Sequence, residues 1–131
     1  MYDQLSPADL QPGAEIGAIE AAETEMNRTL PADYCAFLAF SDGYNGDVGE
    51  HYLVLWGTGE LPSLATGYEV LLPPERGLLL GSNGGPTAYG YWDGSYISVP
   101  FVAAGDVEAE IRVLGADFEQ FLAAIAAGEG W

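Results

Sequence analysis

The spacing of apolar residues changes twice along this chain, and that double switch limits the fold more than any single motif. Across residues 14–29, Ile16, Ile19, Ala22, Met26 and then Leu30 recur at three- and four-residue intervals, with Glu15, Glu20, Glu23 and Glu25 between them. One side of a helix built this way is apolar and the other charged, which predicts an amphipathic helix. Leu30-Pro31 stops it, and Pro31 suits the first turn of a second helix, where its missing N–H needs no partner. Tyr34, Phe37 and Leu38 give that second helix one apolar face. Ser41, Asp42, Gly43, Asn45, Gly46 and Gly49 then predict a turn-rich loop.

In the middle of the chain the helical period disappears. Tyr52-Leu53-Val54-Leu55-Trp56 and residues 68–72, 77–81, 88–92 and 96–99 are short β-type runs separated by Gly, Pro, Asn and Asp. Residues 81–87 read as a hairpin-like connection in which glycines supply positive φ, and Asp93-Gly94 as a tighter turn. The helical period returns near the end: Asp117 is placed to cap a helix whose Phe118, Phe121, Leu122 and Ile125 align, with Gly128 closing it. Residues 110–114 fit either a last strand or a helical turn. No repeat or compositional break divides residues 1–131, so one domain is expected, with residues 1–13 a loose lead-in on which Leu5 and Leu10 could dock. Helix, helix, strands, helix predicts an α+β fold: a largely antiparallel curved sheet with two N-terminal helices and one C-terminal helix packed on it.

Charge narrows the function. The net charge of −17 comes from 20 acidic residues against three arginines, Arg28, Arg76 and Arg112, and no lysine. At 49% hydrophobic residues the chain is too apolar for a disordered polyanion. Nucleic acid and anionic lipid are disfavoured as partners, because phosphate contacts require more cations than three scattered arginines. A basic protein partner fits, since an acidic surface speeds encounter with a cationic one; solubility alone, or a genome-wide bias against lysine, is the competing explanation for the acidity. The N-terminus has neither the basic nor the apolar region of a signal peptide, and the longest uncharged stretch, residues 77–92, is broken by Gly, Pro and Asn. With Cys35 the single cysteine, no intrachain disulfide forms and a cytoplasmic location is expected.

Three segments carry a family resemblance. Leu30-Pro31-Ala32-Asp33-Tyr34-Cys35-Ala36-Phe37-Leu38 follows a helix and precedes a polar Gly/Asn turn. Leu80-Gly81-Ser82-Asn83-Gly84-Gly85-Pro86-Thr87-Ala88-Tyr89-Gly90-Tyr91 forms a Gly-rich hairpin pattern, with Pro86 where a glycine or small residue is more usual. Asp117-Phe118-Glu119-Gln120-Phe121-Leu122 opens the closing helix. In this order they resemble the SMI1/KNR4 family, of the SUKH superfamily, over residues 16–125. The resemblance implies an α+β domain without known enzymatic chemistry. Many bacterial members are immunity proteins that neutralise a cognate toxin, often a nuclease or deaminase, whereas fungal members regulate cell-wall assembly and growth.

Catalytic inventory is thin. One histidine, His51, and one cysteine, Cys35, leave little for a nucleophile–base pair, and Cys35 beside Tyr34 reads as a core or boundary residue. Asp42, Asn45, Asp47 and Glu50 miss the ligand spacing of a calcium loop, and Cys/His counting leaves no zinc site. Residues 81–85 lack the Lys-Ser/Thr of a phosphate-binding loop. Glu108 and Glu110 are carboxylates of the kind an acidic chain juxtaposes by chance. No cofactor or metal is expected. Strand alternation places Tyr89 and Tyr91 on one face and Trp92 on the other. An aromatic left exposed among carboxylates is a natural protein-binding anchor. The candidate partner-binding residues are therefore Trp56, Asn83, Tyr91, Trp92, Asp47 and Glu50. The expected function is a non-enzymatic protein-binding domain, an immunity protein occluding a basic toxin's active site. The alternative is a regulatory or scaffold module of the same fold without a toxin partner.

Overall fold

A computed structural model describes residues 2–68, 71–72, 75–102 and 106–129. Helix α1 (Ile16–Met26) buries Ile19, Ala22 and Met26 and ends at Asn27, which adopts the left-handed conformation (φ 55°) and donates its N–H to the carbonyls of Glu23 and Thr24. Helix α2 (Ala32–Phe40) follows Pro31 and buries Tyr34, Phe37 and Leu38, as their spacing predicts.

The residues after Ser41 do more than turn. Strand β1 (Tyr44–Val48) pairs along its whole length with β2 (His51–Leu55), from Tyr44 opposite Leu55 to Val48 opposite His51. The expected loop is thus half a hairpin. Asn45, Gly46 and Asp47 are poor strand formers, yet their alternation of buried and exposed positions is that of a strand with one wet face.

Helix α3 (Leu61–Gly67) follows, which corrects the strand expected over residues 68–72: Tyr68 caps α3, Leu71 and Leu72 lie in a turn and bend, and residues 69–70 fall outside the described residues. Strands β3 (Gly77–Ser82), β4 (Thr87–Trp92) and β5 (Ser95–Pro100) come next, then a short helix α4 (Val107–Glu110), strand β6 (Arg112–Gly115) and helix α5 (Phe118–Ala126). Residues 110–114 therefore contribute mainly to a last strand.

The sheet is a six-stranded antiparallel meander in the order β1-β2-β3-β4-β5-β6. Register shifts between Leu79 and Gly81 and between Tyr96 and Ile97 bend it, as inserted residues do in antiparallel pairs. At the first shift a side chain is impossible: a Cβ on Gly81 would run into the Val54 carbonyl. Asp93 (φ 48°) and Gly94 (φ 86°) close β4 onto β5 in a two-residue turn with both residues left-handed, the geometry that matches strand twist. Together these elements form the α+β fold expected from the sequence, with α3 and α4 added between strands.

Central strands are buried on both faces, which is why they read as continuous apolar runs. On one face Tyr89 and Tyr96 meet α5 through Phe121, while Phe118 joins Tyr34, Phe37 and Tyr96. Gly90 faces the other way, where a Cβ would touch Leu72. The N-terminal segment is fastened along the outer edge of β1 by bridges from Leu5 to Val48 and from Leu10 to Tyr44. Leu5 is buried, the Ser6 N–H donates to the Tyr44 hydroxyl (2.8 Å), and the Gln11 N–H donates to the Ser41 hydroxyl (2.9 Å).

Candidate functional site

Of the candidate partner-binding residues, Asp47, Glu50 and Asn83 converge on one region. Asp47 lies directly opposite Tyr52 in the β1–β2 pair, so their side chains share the solvent face, and Glu50 sits in the connecting turn. Tyr52 is 38% exposed, and its ring lies against Gly84 in the β3–β4 loop. Asn83 belongs to that loop, where its side-chain oxygen accepts the N–H groups of Gly85 (2.9 Å) and Thr87 (3.2 Å). Its first role is to hold the turn. In the sequence Tyr52 opens an apolar run that reads as core; its exposure follows from its place opposite Asp47, which only the β1 pairing reveals.

The remaining aromatics lie elsewhere. Trp56 is 5% exposed, and its ring stacks on Tyr68 (6.2 Å between centroids). Trp92 is buried beneath the Arg76 guanidinium, 4.3 Å from the ring centroid, and Tyr91 is half-buried with its ring edge-on to Tyr96. Burial gives Trp56 and Trp92 packing work, so neither stands beside the Asp47–Tyr52 face as an exposed anchor.

Two of the three arginines are engaged within the fold. Arg76 forms ion pairs with Asp93 and Glu108, which join the segment before β3 to the β4–β5 turn and α4. That guanidinium holds the Asp93 carboxyl below its usual range. Arg28, just beyond α1, donates to the Gly77 carbonyl at the start of β3 (2.6 Å). Arg112 lies exposed on β6.

Several carboxylates serve the backbone. Asp117 caps α5 by accepting the Gln120 N–H, and Asp106 caps α4. Asp42 accepts from both the Thr58 N–H (2.7 Å) and its hydroxyl (2.9 Å). Asp33 does most, joining three elements: Oδ1 accepts from the Tyr96 hydroxyl and Oδ2 from the Phe118 N–H, each at 2.7 Å. Its neighbour Tyr34 is fully buried and donates to the Trp56 carbonyl (2.8 Å). The Leu30-Pro31-Ala32-Asp33-Tyr34 motif is thus a fastening between α2, the sheet and α5. Burial raises the phenol of Tyr34 well above its usual range and that of Tyr89 to about 12; burial followed by the Asp33 contact raises Tyr96.

Among the described residues, no three His, Cys, Asp or Glu side chains assemble as metal ligands, and no helix is long and apolar enough to cross a membrane. The sequence profile of the SMI1 / KNR4 family (SUKH-1) matches residues 13–124. The chain belongs to the SMI1/KNR4 family. The match spans α1 through most of α5, so the Asp33 and Tyr34 fastening, the β3–β4 loop and the closing Phe118-Phe121 helix all lie within the SMI1/KNR4 region. No curated protein matches the chain in sequence.

Proposed function

We propose that this SMI1/KNR4 domain is a non-enzymatic immunity protein that binds a basic bacterial toxin, of nuclease or deaminase type, and occludes its active site. The observation that carries this reading is the disposition of charge. With Arg76 paired to two carboxylates and Arg28 turned onto a backbone carbonyl, little positive charge faces outward against 20 acidic residues. Such a surface attracts a protein built to grip nucleic acid, because that protein's own basic cleft must neutralise phosphates. Family membership supports a protein partner, and the cytoplasm is where a nuclease or deaminase would meet its inhibitor. Co-expression with toxins encoded beside its gene tests the proposal: growth should be rescued and a stable complex recovered. Toxicity unrelieved, with no complex, would overturn it.

A further inference from the structure

Between α1 and α2 runs an apolar groove of about 370 Å3, lined by Ile16, Ile19, Cys35, Ala36 and Ala39 with Glu20 and Glu23 at its rim. Ile19 is buried, but Ile16, three residues earlier, is 76% exposed, so the apolar side of α1 continues past the core into solvent. On α2 the groove presents small side chains, which let another chain approach closely. Glu23 is held in place by accepting the Leu30 N–H through Oε2 (2.7 Å). The adjoining hollow past Ala36 adds Asp33, Asp117 and Glu119, and among the described residues no Lys or Arg lines either space, Arg28 lying in the next hollow beyond Glu20 and Glu23.

We propose that this groove seats an aliphatic side chain carried on a basic segment of a partner protein, flanked by Lys or Arg residues that meet the carboxylate rim. This rests on the reading of the chain as an acidic protein-binding domain and assigns the anchoring surface. A polycation without an apolar residue would leave Ile16 in water, and an acidic partner would meet Glu20 and Glu23 in repulsion. A second copy of this chain, itself at −17, is disfavoured for the same reason. The hairpin carrying Tyr52 offers one partly covered ring and a smaller hollow of about 170 Å3 beside Asn45 and Val54, bordered by Asp42 and Glu60, so it is the weaker anchor.

Cys35, the single cysteine, lies in the groove and reports on it. The probe is a short synthetic peptide with leucines set among lysines, titrated into the isotope-labelled full chain; its control replaces each leucine by serine at equal charge. Amide shifts should concentrate at Ile16, Ala36 and Ala39, and alkylation of Cys35 should slow as the leucine peptide saturates. Binding should weaken about tenfold or more with the serine peptide, or with Ile16→Asp, because an aliphatic contact is lost. Ile16 is exposed enough for that variant to fold, and Ala39→Arg, also exposed, should act in the same direction. Equal affinity for the two peptides would overturn the groove, as would no binding of the leucine peptide. Unslowed Cys35 alkylation with shifts confined to Tyr52 and Asp47 would also overturn it while leaving the protein-binding reading standing. Failure of the co-expression experiment alone would strike the toxin reading instead.

Discussion

Replacing Asp33 by alanine removes a carboxylate that three elements share. The Tyr96 hydroxyl and the Phe118 N–H, both on buried residues, lose their acceptor together. An unsatisfied buried donor costs about 1–3 kcal/mol, so the pair should cost about 3 kcal/mol once partial access of water is allowed. With a urea m-value of about 2 kcal/mol/M for a chain of this size, the unfolding midpoint should fall by about 1.5 M at unchanged m. Asp33→Asn should lose less, about 1 kcal/mol, since its amide oxygen still accepts the Phe118 N–H and its NH2 can donate to a rotated Tyr96 hydroxyl. Tyr96→Phe supplies a stricter test. In the alanine background it removes a donor already stranded, so the two losses should not add. Additive losses, or a midpoint for Asp33→Ala within about 0.2 M of the parent, where the shift is worth under about 0.5 kcal/mol, would show that Asp33 is not the fastening described.

Alkaline pH should act on the same region. Tyr34, Tyr89 and Tyr96 have phenols raised in the fold, so their contribution is complete below the unfolded value near 10 and is lost as pH rises toward the folded values. At pH 11, about one unit above the unfolded value, each should cost on the order of 1 kcal/mol. Ultraviolet titration should show these three ionising only as circular dichroism is lost; smooth ionisation of all eight tyrosines near pH 10 in a still-folded protein would contradict their burial. Tyr34→Phe should cost about 1–2 kcal/mol by stranding the Trp56 carbonyl, read in the same urea assay. Association with a basic partner should slow markedly between low and physiological salt in stopped-flow measurements, and a salt-independent rate would remove electrostatic steering.

How much of this was legible beforehand depends on where the decisive contact lies. Helices α1, α2 and α5 announce themselves because their apolar faces repeat locally and because Pro31, before α2, and Gly128, after α5, act locally; α1 itself ends at Asn27, ahead of the stop expected at Leu30-Pro31. Strand β1 does not: Gly46 takes an inward place because the Asp9 carboxylate fills the space its side chain would need, a contact from a distant segment. Likewise Tyr68 reads as a strand residue by type, but stacking on Trp56 and a tilted ring contact with Phe101 hold it at the end of α3. The candidate surface divides in the same way. Asp47 and Glu50 were visible as exposed acids, whereas Tyr52 emerges only from cross-strand pairing. Ile16 looks like one more core position on its helix and is exposed because the core ends before its turn is reached.

The bridges from Leu5 and Leu10 to β1 have a meaning for assembly. A bare edge strand offers its unpaired N–H and C=O groups to any extended chain, including a copy of itself. Here the chain shields that edge with its own preceding residues, as a sheath that is also part of the blade. A partner seeking to add a strand on that side must first peel the sheath away, giving up the burial of Leu5 and the Ser6–Tyr44 hydrogen bond. Recognition by side chains on the surface requires no such opening of the edge.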